Sequence, residues 1–420
     1  MQMQILSGVL AAIVAMLIVW NWKKRRRTSV RLSGAELAGD WLGGRFEEMG
    51  NSFQLLGELL AKEPDSMREE LESRFWKRQL AESRQAVAEQ YLELSRRMED
   101  WKQELACTQD VTAEWRKKRK GILRTMGLEL YQVLLFQQGR QKEVCMTIRT
   151  EGRLVNSREL AEAVDGLGGV HWHLTPGEPT ILTGKMHQVL LEAEPGLTMH
   201  FGVTRQTRHG EAVSGDGFTQ QRLPRGRIVM ALCDGMGSGP VAFRESGEAL
   251  ELLEHLLDAG YSAESAARLV HTSLLLGESR ERHPVALDVC ELDLYQRTGH
   301  LTKLGGVCSF LKRDGQVQRL EAEALPAGAL VESDPGECFF HFREGDLLVM
   351  VTDGVLDAFP GLQKEEHFAL LLSMAEETDA MQLASWLSEQ IKKKSAEASD
   401  DRTILVACAG GSGRESGKKS

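Results

Sequence analysis

Apolar and polar positions divide the chain into stretches of different period. Ile5 to Trp22 is apolar apart from Ser7 and Asn21, which as a helix is long enough to cross a hydrocarbon layer of about 30 Å. Lys23, Lys24, Arg25, Arg26 and Arg27 follow it, whereas a cleaved secretory signal carries its cations before the apolar run. The pattern predicts one retained transmembrane helix over 5–22 and a basic juxtamembrane segment over 23–33. Everything after Lys23 is then expected on the cytoplasmic side of the cell membrane. Residues 34–115 are rich in charged helix formers; Leu80, Val87, Leu94 and Trp101 recur every seven positions, seconded by Tyr91, Met98 and Leu105. A short coiled coil that pairs two copies into a homodimer is one reading of this linker; an antiparallel helical hairpin, or a helix lying on the domain that follows, is another.

After that the pattern turns mixed. Leu130–Phe136, Val144–Ile148, Val189–Ala193 and Thr198–Val203 read as strands separated by Gly- and Pro-containing turns. The boundary between a first compact segment, 116–195, and a second, 196–409, is expected near Gly196. In the second, Ile228 to Cys233 is an apolar run that stops at Asp234-Gly235. Pro240 to Ala259 reads as a helix with Ser238 or Gly239 as cap, proline in its first turn and Gly260 at its end. A second helix is expected over Ser262–Leu276, then paired strands around Val285–Tyr295 and His300–Lys312, and a strand near Gln316–Glu321. Asp346–Thr352 is apolar after its first residue and ends in Asp353-Gly354, while Asp400-Asp401 stands just before the run Thr403–Cys408. Residues 410–420 form a polar tail expected to be disordered.

Composition narrows the classes. A chain of 420 residues with 42% hydrophobic content and ten prolines can bury one sizeable core with appended elements. A formal net charge of -10 opposes nucleic-acid binding, which needs a basic face. Seven cysteines contain no C-x-x-C pair and read as reduced thiols.

Four acidic positions stand out by placement: Asp216 in S-G-D-G, Asp234, Asp353 and the Asp400-Asp401 pair, each at a strand edge or a glycine turn. Carboxylates on short side chains suit hard divalent cations. Two such ions about 3.5–4 Å apart can activate water and clamp phosphoryl oxygens, so that no protein nucleophile is needed. Glycine next to an acid also lets a backbone carbonyl approach a metal. Taken singly, Asp-Gly is a common turn pair; the joint order makes the acids a set.

That order resembles the metal-dependent serine/threonine phosphatases of the phosphatase 2C type, the PPM family, and within them the stage II sporulation protein E group. The matching pieces are S-G-D at Ser214–Asp216, D-G-M-G-x-G-x-x-A at Asp234–Ala242 followed by Glu245-Ser246, L-D at Leu287-Asp288 and K-x-G at Lys303–Gly305. Further pieces are S-F at Ser309-Phe310, L-P-x-G at Leu325–Gly328, G-D-L-x-V-M-V-x-D-G-V at Gly345–Val355 and D-D-x-T at Asp400–Thr403. The resemblance implies an α+β fold, an α-β-β-α sandwich of two packed antiparallel sheets flanked by helices. It makes 196–409 a catalytic domain and 116–195 a regulatory segment leading into it.

It further implies two manganese or magnesium ions, with Asp234 bridging both, Gly235 offering its carbonyl, and Asp353 and Asp400 completing the set. Asp216 matches the acid at the metal site on the opposite strand, and Asp401 is the alternative to Asp400. Asp234, Asp353 and Asp400 would be the catalytic acids. The implied activity is hydrolysis of a phosphoserine on an anti-sigma-factor antagonist protein, which frees a sigma factor during sporulation. The same chemistry in another stress or developmental pathway, or a catalytically silent membrane-tethered scaffold, are the alternatives; a silent scaffold would be expected to have lost ligand acids. Cys308 stands where the group usually has proline and Arg402 where it usually has methionine. Neither is among the implied ligands, so activity is expected to survive both.

Overall fold

The computed structural model describes residues 108–411 apart from 176, 277–283, 323, 330–334 and 396. The apolar run at 5–22, the basic segment and the heptads lie outside the described residues, as does the tail beyond 411. Among the described residues no helix is long and apolar enough to cross a membrane.

The first part is a five-stranded antiparallel sheet in the order Thr108–Asp110, Leu128–Gln138, Gln141–Thr150, Met186–Ala193, Trp172–Leu174. The helices Thr112–Thr125 and Ser157–Val164 accompany it. The former runs through the 115/116 boundary expected from sequence because Trp115 is a core residue, edge-on to Trp172 at 5.6 Å between ring centroids. Three strands expected from sequence lie within this sheet, each longer than its apolar stretch.

The second part is a sandwich. We label its strands β1 (Leu197–Gln206), β2 (Asp216–Leu223), β3 (Arg227–Gly235), β4 (Val285–Asp293), β5 (Thr298–Leu304), β6 (Ser309–Arg313), β7 (Gln316–Leu320), β8 (Gly336–His341), β9 (Leu347–Val351) and β10 (Arg402–Gly411). Its helices are α1 (Pro240–Asp258), α2 (Ala263–Leu276), α3 (Asp353–Leu356), α4 (Lys364–Ser373) and α5 (Ala380–Lys394). One antiparallel sheet has the order β8-β5-β4-β3-β2 and the other β7-β6-β9-β10-β1.

Alternation along the strands builds three apolar layers. On β3, Val229, Ala231 and Cys233 pack under α1 and α2, while Ile228, Met230 and Leu232 face the other sheet. On β9, Val349 and Val351 pack under the α3–α5 layer, while Leu348 and Met350 meet the first sheet. This is the α+β sandwich expected from sequence, two packed antiparallel sheets flanked by helices. Proline at its first position starts α1. Asp379 caps α5 by accepting from the amides of Met381 (2.9 Å) and Gln382 (3.0 Å), and three lysines close its last turn.

Two elements differ from the sequence reading. His300–Lys312 is not one strand: β5 lies in the first sheet and β6 in the second, because the chain crosses over at Gly305–Cys308. Gly305 takes φ +83° there against the backbone of Pro326, a conformation an alternating apolar pattern does not reveal. The last strand also continues through Gly410 and Gly411, which pair with Thr198 and Leu197, so these two residues are ordered by the sheet rather than part of a free tail.

The β2–β3 turn meets the first part of the chain. Arg225 pairs with Glu143 at 2.9 Å, the Gly226 amide donates to Glu192 at 3.1 Å, and the Tyr295 hydroxyl donates to the Ala193 carbonyl. Strand β3 therefore runs from this contact at one end to Asp234 at the other.

Candidate metal centre

The parity of the strands places the acids. Asp234 has the register of Ile228, Met230 and Leu232, so its carboxyl points between the sheets where β3 runs out of apolar residues. Asp216, its direct partner across the β2–β3 ladder, points the same way. On the other sheet Thr352 continues the register of Leu348 and Met350, and Thr403 that of Leu405 and Ala407. Both threonines reach across: the Thr352 hydroxyl donates to Asp216 Oδ2 at 2.9 Å and the Thr403 hydroxyl to the same oxygen at 2.6 Å. The other oxygen, Oδ1, is buried with no hydrogen-bond partner among the described residues.

Asp353 opens α3 directly after β9. Asp400 and Asp401 immediately precede β10, and the two neighbours are used differently. Asp401 is buried and spends both carboxylate oxygens on backbone, accepting from the Arg208 amide (2.8 Å) and the Gly215 amide (2.7 Å). Asp400 stays at the mouth, close enough to act electrostatically on both Asp234 and Asp353. Asp400 has one oxygen accepting from the Asp401 amide at 2.9 Å, while both oxygens of Asp401 are taken by backbone amides. Gly235 sits where the backbone of Ala242, at the start of α1, leaves no room for a Cβ.

Electrostatics at this mouth are unfavourable without a cation. Burial, then repulsion from Asp216, Asp353 and Asp400, pushes the Asp234 carboxyl up to about 9. Burial lifts Asp216 to about 6 against the stabilising threonine hydroxyls, with Asp401 and Asp353 adding to the rise. Asp353 is exposed at its tip, yet shielding by surrounding protein, with Asp400 and Asp357 nearby, also raises it. Asp234 and Asp353 lie in hydrogen-bonding contact. An unpartnered buried oxygen and acids that hold protons against one another fit bound divalent cations, which would replace those protons.

A pH dependence follows. An unfolded aspartate titrates near 3.9, so the raised folded-state values stabilise the metal-free protein at low pH, and that stability is lost as pH rises through about 6 and then about 9. Scanning calorimetry of chelator-treated protein between pH 5 and 9 should show the melting temperature falling with pH. Manganese added at pH 8 should restore it, with proton release visible as a buffer-dependent binding heat.

Residues 224–409 match the family model described as Stage II sporulation protein E (SpoIIE). This stretch is thus similar to the phosphatase 2C domain of SpoIIE. Stage II sporulation protein E of Bacillus subtilis (strain 168) is 26% identical over 337 residues, 79% of this chain and 40% of that protein. The Priestia megaterium protein of the same name is 26% identical over 338 residues, 79% of this chain and 57% of the relative. The chain thus spans less than two thirds of either relative. Among solved structures, the PP2C phosphatase domain and regulatory-domain fragment of the cell fate determinant SpoIIE from Bacillus subtilis is 25% identical. It superimposes with a TM-score of 0.52 over 80% of this chain and 98% of that one.

Four further residues bear on this site: Thr352 and Arg208, to which the sequence reading gave no role, Thr403, read there only as part of D-D-x-T, and Arg402, read as a departure from the usual methionine. Arg208, exposed on the loop before Asp216, hydrogen-bonds Ser238 (3.1 Å) in the turn after Asp234 and so ties two rim loops together. Arg402 is buried and donates to the carbonyls of Gly354 (3.1 Å) and Ser395 (2.9 Å) and to the Ser395 hydroxyl (2.9 Å). It fastens the segment before Asp400 to the helix that starts at Asp353.

Proposed function

We propose that the chain is a membrane-anchored, divalent-metal-dependent protein serine phosphatase whose substrate is a phosphorylated anti-sigma-factor antagonist, its hydrolysis releasing a sigma factor. The observation that supports this reading is the convergence of Asp216, Asp234, Asp353 and Asp400 at one end of the inter-sheet space, where burial and then repulsion raise the proton affinities of Asp216, Asp234 and Asp353. Asp234, the Gly235 carbonyl, Asp353 and Asp400, with Asp216 beside them, would hold two manganese or magnesium ions. When bound, the ions would neutralise phosphoryl charge and promote attack by water on phosphorus, which breaks the ester P–O bond and releases serine and inorganic phosphate. The protein's own part is placement. Thr352 and Thr403 hold Asp216 by one oxygen and leave the other for a cation, and Asp401 locks the Arg208 and Gly215 backbones around the mouth.

The anchor at 5–22 and the paired helical linker belong to this proposal and rest on the sequence pattern. Carbonate washing of membranes should leave the full-length chain in the pellet; its appearance in the supernatant would defeat the anchor. For the activity, the full chain in detergent should release phosphate from a phosphoserine antagonist with manganese or magnesium and not with excess chelator. Turnover indifferent to chelator would overturn the metal mechanism.

A further inference from the structure

The cleft lined by Asp234, Thr352 and Asp353 also takes in Ala286, Asp288, Gly305, Gly306 and Val307. A phosphoryl group belongs with the acids and their cations. The remaining lining, two glycines, Ala286, Val307 and an Asp288 carboxylate paired with Lys303, therefore suits the carbon and main-chain atoms to which the phosphate is esterified.

That wall stands on a buried ion pair. Asp288 on β4 and Lys303 on β5 are cross-strand partners and both point between the sheets, in the registers of Cys290 and Leu301. Lys303 is 1% exposed and Asp288 3%. The Lys303 ammonium donates to Asp288 Oδ2 and also to the Val307 carbonyl at 2.6 Å, drawing the crossover loop back onto its own strand. Gly306 lies so close over the Asp288 carboxylate that any Cβ would overlap it. One ion pair thus fixes the backbone of both Gly306 and Val307. A buried salt bridge is weak support for stability, since apolar side chains of similar volume often do as well or better. Nor does its ammonium hold any of the metal-site acids; its bonds go to Asp288 and the loop.

We propose that Asp288 and Lys303 are positioning residues for substrate specificity: they hold the Gly305–Val307 wall where the polypeptide on either side of a phosphoserine must lie, and so favour phosphoproteins over small phosphate esters. This rests on the phosphatase reading. Its test compares a phosphoserine peptide with p-nitrophenyl phosphate in wild type and in the double variant Asp288→Leu/Lys303→Met, which removes both charges at once and leaves neither buried alone.

The double variant should melt within about 3 °C of wild type, or higher. Its kcat/KM on the peptide should fall at least about tenfold, chiefly through KM, with kcat/KM on p-nitrophenyl phosphate and calorimetric manganese affinity within about twofold. Asp288→Asn alone should show the same split in smaller measure and covers the case in which the double variant does not fold. Equal losses on both substrates, unchanged peptide kinetics, or weakened manganese binding would each overturn the proposal. A wild-type protein inert toward both substrates would instead overturn the phosphatase reading, and this proposal with it.

Discussion

Asp353→Asn should reduce phosphate release by about a thousandfold or more, equivalent to about 4 kcal/mol of transition-state stabilisation, while leaving the fold intact. The amide keeps the shape of the carboxyl at the start of α3 but removes a charge that acts directly on Asp234. Two measurements separate loss of the metal centre from loss of structure. Manganese affinity by calorimetry should fall along with turnover. The metal-free variant should also melt higher than metal-free wild type at pH 8, because one of the mutually repelling acids is gone. Retained turnover, or a lower melting temperature at that pH, would mean that Asp353 does not belong to the acid centre.

Gly354→Ala should have the second-largest effect, by a steric route. A methyl group at this position would overlap the Asp401 carbonyl oxygen and press on the Asp400 Cβ, with the carbonyl of Gly354 itself already tied to Arg402 at 3.1 Å. Neither neighbour is the loose end of a flexible side chain, so the start of α3 and the start of β10 must move apart. Overpacking of this kind costs about 1–3 kcal/mol, a fall of roughly 2–10 °C in melting temperature for a domain of this size. The more telling consequence is functional: Asp353 and Asp400 are the residues displaced, so manganese affinity should weaken by at least about tenfold even where the protein remains folded. An alanine variant with wild-type affinity would show that the two acids need not keep this spacing.

The acid centre was legible in sequence because strand parity is strict. Asp234 ends an apolar run whose even-numbered members face one layer, and so its side chain could face only the other sheet. The repeated combination of apolar run, acid and glycine at Asp353 carried the same information from the opposite sheet. The inward turn of Asp401 was not legible, since it depends on amides of Arg208 and Gly215 that are nearly two hundred residues away in sequence. Arg402 was read only as a departure of no consequence for the ligands. Its burial becomes intelligible once the carbonyls of Gly354 and Ser395 are seen to converge on it. The split of His300–Lys312 into strands of two sheets was hidden for a related reason: the crossover is dictated by a positive φ at Gly305 and a backbone packed against it, neither of which alters the apolar pattern.

The position of β10 has a consequence for how the protein is made. This last strand lies between β9 and β1, pairing with a strand some two hundred residues earlier, and brings Asp400, Asp401 and Thr403 with it. Until the ribosome has released it, β1 and β9 have no common neighbour and Asp216 lacks the Thr403 hydroxyl. A nascent chain therefore cannot complete the acid centre before this strand has left the ribosome, and a message cut short ahead of it yields a polypeptide that carries Asp216, Asp234 and Asp353 without Asp400, Asp401 or Thr403.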